Sequence, residues 1–131
     1  MLLGVGLYVT GSLEAVKLYC DAFGMELRYP VLLKDETNIG YVQLVPLEEG
    51  VEVGYHIAKE FTGKGYATEA LTALLQFAKA EKKLCKVYGI CVSENTASKK
   101  VLEKCGFEKE YEGPGEYQGT LTNIARYVAN L

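Results

Sequence analysis

Thr62-Gly63-Lys64-Gly65-Tyr66-Ala67-Thr68 stands between an apolar strand-like run, Val51 to Ala58, and the most regular helical pattern in the chain. Two glycines one residue apart let the backbone turn tightly and bring main-chain groups close to a ligand with no Cβ in the way. The helix start that follows has unpaired N–H groups and the positive end of the helix dipole. Strand, Gly-x-Gly turn and helix N-terminus together suit an anion, above all phosphate or pyrophosphate. The spacing is neither Gly-x-x-x-x-Gly-Lys-Ser/Thr nor Gly-x-Gly-x-x-Gly, so it is not a P-loop or a dinucleotide fingerprint. A plain turn and cap would use the same residues without any ligand.

C-terminal to this stretch, Ala67, Ala70, Leu71, Leu74, Leu75 and Ala78 recur at i, i+3, i+4, i+7, i+8 and i+11, which predicts an amphipathic helix to about Lys83. Lys86 to Val92 reads as a short strand and Asn95 to Lys104 as a second helix stopped at Gly106. Phe107 to Tyr111 and Thr122 to Ala129 read as strands joined by a loop around Gly113-Pro114-Gly115. N-terminal to it, Glu26 to Leu33, Ile39 to Val45 and Val51 to Ala58 are separated by turn-rich segments and predict an antiparallel meander. Leu2 to Val9 is β-rich. Ser12 caps a predicted helix with Glu14 in its first turn, Leu13, Val16, Cys20 and Phe23 on its inner face and Gly24 as its stop. The order β-α-β-β-β-α-β-α-β-β predicts an α/β (mixed α+β) fold, a mostly antiparallel sheet with helices on both faces.

The chain has 131 residues, 49% hydrophobic and 24% charged, with no linker, repeat or long charge run. These proportions exclude disorder and predict a single domain over 1–131, large enough to fold without disulfide or metal staples. A net charge of -3 and a pI near 5.3 argue against binding nucleic acid through phosphate neutralisation. The longest apolar runs, such as Tyr41 to Leu47, fall far short of the roughly 20 residues that cross a bilayer. The start Met-Leu-Leu-Gly-Val-Gly carries no basic region of a secretory signal. Cys20, Cys85, Cys91 and Cys105 form no Cys-x-x-Cys pair and read as reduced, buried thiols, which points to the cytoplasm.

Three blocks, in order, are Glu52-Val53-Gly54-Tyr55-His56-Ile57-Ala58, then Thr62 to Ala67, then Asn95-Thr96-Ala97-Ser98 through Leu102-Glu103-Lys104-Cys105-Gly106-Phe107. Together they closely resemble the GNAT superfamily of acetyl-CoA-dependent N-acetyltransferases, in particular the branch containing the ribosomal-protein N-terminal acetyltransferases. The resemblance covers about Asn38 to Leu131. It implies the acyl-CoA N-acyltransferase fold and a cofactor loop, Gln/Arg-x-x-Gly-x-Gly/Ala, falling on Thr62 to Ala67. On that basis the N–H groups of Gly63, Lys64, Gly65, Tyr66 and Ala67, with Thr68 just beyond, would cradle the pyrophosphate of coenzyme A. Thr62 replaces the family's Gln or Arg, which removes a side-chain contact and leaves the backbone donors. The strand ending at His56-Ile57-Ala58 would line the pantetheine arm, chiefly through Ile57. Asn95 and Ser98 match positions near the pantetheine or thioester. The cofactor would enter where the strands ending at Ala58 and Val92 splay apart.

An acyl thioester is already activated, so the enzyme has to hold an amine, take its proton, stabilise the oxyanion and release the thiolate. Chain-terminal amines (pKa roughly 8) and lysines (about 10) are mostly protonated at neutral pH, so a base is needed. Glu52, on the strand leading to the loop, is the first candidate, although the same position suits a solvent-facing residue. His56, the only histidine, shares the face of Glu52 in an unbulged strand and reads as cofactor-flanking. The tyrosine that some relatives use as acid would fall near Leu102, which has no proton to donate; Tyr117, or else Tyr111, is the substitute. Lys99 and Lys100 read as solvated, with one able to reach a cofactor phosphate.

The superfamily usually begins with two helices between its first two strands, and here one is read. Gly6 to Val9, Ser12 to Val16 and Tyr19 to Gly24 instead resemble the opening strand and helix of the vicinal oxygen chelate (glyoxalase-like) superfamily, making residues 1–33 an atypical β-α-β segment. That superfamily holds its metal with His and Glu on strands, and Leu2 to Val9 has neither, so no metal is expected. One helix in place of two leaves the acceptor side more open, which suits a peptide or protein amine, or a site completed by a second subunit in a homodimer, with a small-molecule amine the other acceptor class. The reading is therefore an N-acetyltransferase using acetyl-CoA and transferring directly to a primary amine. The alternatives are an inactive acyl-CoA-binding module of the same fold and a chelate-type metal-dependent protein.

Overall fold

The computed structural model describes residues 6–7, 13–17, 19–20, 27–47, 50–80 and 82–131. These hold β1 (Gly6–Leu7), β2 (Leu13–Lys17), β3 (Tyr19–Cys20), β4 (Leu27–Leu33), β5 (Asn38–Leu47) and β6 (Gly50–Ile57). Helix α1 (Tyr66–Ala80), β7 (Lys86–Val92), α2 (Thr96–Lys104), β8 (Glu108–Tyr117) and β9 (Thr120–Asn130) follow. The strands form one mixed sheet in the order β1-β2-β4-β5-β6-β7-β9-β8, with β3 also beside β4. Every pairing is antiparallel except β6 with β7, which the crossover through α1 makes parallel.

That parallel pair joins only at Glu52↔Tyr88 and Val53↔Gly89. Beyond Val53, β6 runs on to Ile57 paired with β5 alone, and a gap opens between it and β7. The mixed sheet and the splay between these two strands are as expected. The positions of the helices are not.

Tyr29 of β4 meets Phe77 of α1 edge-on at 5.3 Å. The pairs Tyr29↔Val42 and Leu44↔Val53 carry the same side of the sheet across to β6, and Val53↔Gly89 carries it to β7, where Gly89 lies beneath Leu102 of α2. Both helices therefore cover one face, over a core that includes Tyr29, Val31, Val42, Leu71, Leu74, Phe77, Val87 and Leu102. Helix α1 buries Ala70, Leu71, Leu74, Leu75 and Ala78 as its period predicts.

The helix expected from Ser12 to Gly24 is not formed where the chain is described. Leu13–Lys17 and Tyr19–Cys20 are strands paired with β4, with a bulge between Leu13 and Ala15. Ser12, Leu18 and residues 21–24 lie outside the described residues. A short apolar run serves helix or strand equally well, and the open edge of β4, whose N–H and C=O groups need partners, decides for strand. The loop expected at Gly113-Pro114-Gly115 is likewise strand, paired with Ile124, Asn123 and Thr122. Strand β8 is the last in the sheet, so a proline lacking an N–H can face outward. Gly115 lies so close to Ile124 that a Cβ there would come within 2.6 Å of its Cδ1. The turn falls at Gln118-Gly119, whose φ values of 51° and 80° are those of a two-residue type I′ hairpin. Among the described residues no helix is long and apolar enough to cross a membrane.

Candidate active site

The gap between β6 and β7 opens a cavity at each end. The Ala58 N–H donates to Ile39 O at 2.7 Å, toward β5. Main-chain groups alternate along a strand, so those of Ile57 and Tyr55 point the other way, into the gap that β7 has left. The pairing of β5 with β6 is unbroken, so His56 keeps the parity of Glu52 and lies beside the Tyr41 ring, centroids 5.8 Å apart.

The first cavity, about 460 Å³, lies against the start of α1. It is lined by His56, Ile57, Thr62, Gly63, Gly65, Tyr66, Ala67, Thr68, Asn95 and Ser98, ten of the twelve residues expected to hold a cofactor. Gly63 and Gly65 have φ of 78° and 83°, left-handed values that favour glycine. The Glu69 N–H donates to Gly65 O at 3.0 Å, leaving the N–H groups of Tyr66, Ala67 and Thr68 without intrahelical acceptors. The Thr62 hydroxyl donates to Lys59 O at 2.7 Å and closes the short 3-10 turn Lys59–Phe61. The Asn95 side chain caps α2 by accepting from the Ser98 N–H at 3.1 Å. Ala58 and Lys64 do not line this cavity: the Ala58 N–H is taken by β5, and Lys64 is exposed in the turn.

The second cavity, about 410 Å³, lies at the other end of the gap and includes Tyr41, Gln43, Glu52, Glu116 and Tyr117. The hairpin turn at Gln118-Gly119 brings Tyr117 of β8 to the same space as Glu52 of β6. Burial raises the Glu52 carboxyl above its ordinary value. Burial and then the Glu52 charge raise the Tyr117 hydroxyl. Tyr111 turns away, its hydroxyl donating to Pro114 O at 2.6 Å.

The two cavities have opposite charge. Among the described residues the first has Lys100 and Lys104 on its walls and no carboxylate, while the second has Glu52 and Glu116 and no cation. An anion is favoured at one end of the cleft and a cation at the other. Among the described residues no group of three or more His, Cys, Asp or Glu side chains is placed to hold a metal ion.

The acetyltransferase (GNAT) domain family model matches residues 11–108. This chain belongs to the GNAT family. It is 37% identical over 95 residues to the "Putative ribosomal N-acetyltransferase YdaF" of Bacillus subtilis, covering 70% of this chain and 50% of that protein. A GNAT-family acetyltransferase from Bacillus anthracis superposes with a TM-score of 0.71 at 27% identity, covering 79% of this chain and 65% of that one. A spermidine N-acetyltransferase from Vibrio cholerae, described as dodecameric, has a TM-score of 0.71 at 26% identity, covering 80% of this chain and 64% of that one. The chain spans about half the length of the curated relatives it matches.

The GNAT match begins at residue 11, inside the segment that resembles the vicinal oxygen chelate opening, and the strands found there replace that opening's helix. Sequence reasoning missed Tyr55, Phe61, Ala97, Val101, Lys104 and Glu116 as lining residues. Ala97, Lys100, Val101 and Lys104 follow one face of α2 at i, i+3, i+4 and i+7, so a helical wheel started from the Asn95 cap would have found them. Lys99 faces elsewhere, pairing with Glu112 at 2.6 Å.

Proposed function

We propose that this chain transfers an acetyl group from acetyl-CoA directly to a primary amine of a peptide or small molecule, with the coenzyme in the Gly63–Thr68 cavity and the amine in the Glu52 cavity. The observation that carries this reading is the opposite charge of two cavities joined through the splayed strands. The free amides of Tyr66 to Thr68, with Lys100 and Lys104, suit phosphate groups. The turned-out main-chain groups of Ile57 and Tyr55 suit an extended amide-bearing arm.

In the second cavity Glu52 takes the proton of the bound ammonium, directly or through water. Its raised pKa brings it closer to that of the amine than an exposed carboxylate would be. The freed nitrogen attacks the thioester carbonyl and loses its second proton to water, the C–S bond breaks and its electron pair leaves on sulfur. Tyr117, kept protonated by burial, is the acid for that thiolate. Cys85, Cys91 and Cys105 are free thiols, which supports a cytoplasmic, reducing setting. A homodimer belongs to the same proposal, since among the described residues no helix covers the Tyr41–Glu52 face.

Isothermal titration with acetyl-CoA tests the coenzyme, and release of free thiol with spermidine or a serine-initiated peptide tests the acceptor. Micromolar binding, abolished by Gly65→Glu in a variant with wild-type circular dichroism, is the expected result. A folded wild type that does not bind acetyl-CoA overturns the reading.

A further inference from the structure

Tyr55 and Ser98 are the two residues that line both cavities. Tyr55 shares strand parity with Val53 and Ile57 and points to the helix-covered side, where β7 has moved away. Its hydroxyl crosses to α2 and donates to Ser98 O at 3.2 Å. Ring and hydrogen bond together make a crossbar over the neck between the cavities. If the coenzyme's phosphates lie at one end and the amine at the other, the thioester has to sit at this neck, with its acyl carbons projecting past the bar.

Beyond the bar the floor is made of Val53, Gly89 and Leu102. A Cβ on Gly89 would come within 2.5 Å of Leu102 Cδ2, so Leu102 rests directly on the glycine.

We infer that Tyr55 is the residue that limits the acyl group to a short chain: its ring, tied to α2 through Ser98 O, stops longer acyl chains at the neck. This rests on the proposed function and adds the determinant of donor specificity. A longer chain has to push the ring aside, and the methylenes held back at the neck gain nothing from burial. With the ring removed, each methylene that becomes buried improves affinity about fourfold, or up to roughly 200-fold for the four that distinguish hexanoyl from acetyl.

The test measures dissociation constants of acetyl-CoA and hexanoyl-CoA by titration into wild type, Tyr55→Phe and Tyr55→Ala, and needs no acceptor. Wild type is expected to bind hexanoyl-CoA at least about tenfold more weakly than acetyl-CoA. The ratio shifts toward hexanoyl by about tenfold or more in Tyr55→Ala. It shifts by less, in the same direction, in Tyr55→Phe, which keeps the ring and loses the tether. Should Tyr55→Ala fail to fold, the Phe variant carries the test. A wild type that binds hexanoyl-CoA as tightly as acetyl-CoA overturns the inference, as does a ratio unchanged within twofold in every folded variant. A wild type that binds neither thioester removes the proposed function, and this inference with it.

Discussion

Gly89→Ala is expected to destabilise the protein by about 2 kcal/mol, through one contact. The added Cβ would meet Leu102 at 2.5 Å (Cδ2), 3.3 Å (Cδ1) and 3.5 Å (Cγ), against the 3.5–4.0 Å at which carbon atoms rest, so something has to move by about 1 Å. The strand is held by β6 at Val53 on one side and by β9 at Tyr127 on the other. The helix is held by the Tyr55 hydroxyl on Ser98 O, by Lys99 on Glu112 at 2.6 Å and by the Tyr127 hydroxyl on Glu103 at 3.1 Å. Leu102 is 1% exposed and has little room to change rotamer. Overpacking of this kind costs about 1–3 kcal/mol. At roughly 3–5 °C per kcal/mol for a chain of this size, Tm falls by about 6–10 °C. A double-mutant cycle isolates the contact. Leu102→Ala alone costs about 2–5 kcal/mol, and in its background the new Cβ enters a void, so Gly89→Ala becomes neutral or stabilising. Urea unfolding of the four proteins measures the coupling. If Gly89→Ala costs the same in both backgrounds, the clash is not what glycine avoids at this position.

Glu52→Gln is expected to lower kcat by about 10²–10⁴ with little change in KM for acetyl-CoA. The wild-type rate climbs with pH as the Glu52 carboxyl ionises. Burial raises that carboxyl, so the climb is centred above its ordinary 4.5, and the Gln variant lacks it; a variant with the wild-type pH–rate profile would show that another group is the base. Glu112 accepts from Lys109, Lys99 and Ser93, which hold its carboxyl at about 2 against an ordinary 4.5. A depressed carboxyl stabilises the fold above its unfolded pKa and loses that effect as pH falls through the folded one. The stability gap between wild type and Glu112→Gln is therefore widest above pH 4.5 and closes toward pH 2; a gap that stays constant in acid titrations monitored by circular dichroism refutes it.

Much of the Gly63–Thr68 cavity was legible because it is written locally. The left-handed φ values at Gly63 and Gly65, the helix opening at Tyr66 and the Asn95 cap each depend on a few neighbouring residues. The Glu52 cavity was legible only in part. Glu52 and Tyr117 were each named, but their meeting depends on the register of β8 on β9 and of β9 on β7, which a Gly-Pro-Gly read as a loop obscures. Glu116 and Tyr55 were missed for the same reason: neither has a local signature. The Tyr55–Ser98 bond joins residues 43 positions apart in the chain.

By itself the sequence determined the glycine turn at Gly63 and Gly65, the two helices that follow it and the meander before it, because periodicity, glycine φ and helix caps act over a few residues. Tertiary structure decided the rest. The unpaired edge of β4 made Leu13–Lys17 a strand, and the parting of β6 from β7 after Val53 turned their main-chain groups toward a cleft. Packing of α2 put Lys100 and Lys104 at one end of that cleft, and the register of β8 on β9 put Glu116 beside Glu52 at the other. Each of these depends on which backbone donors and acceptors find partners across the sheet, and that is settled only when distant segments come together.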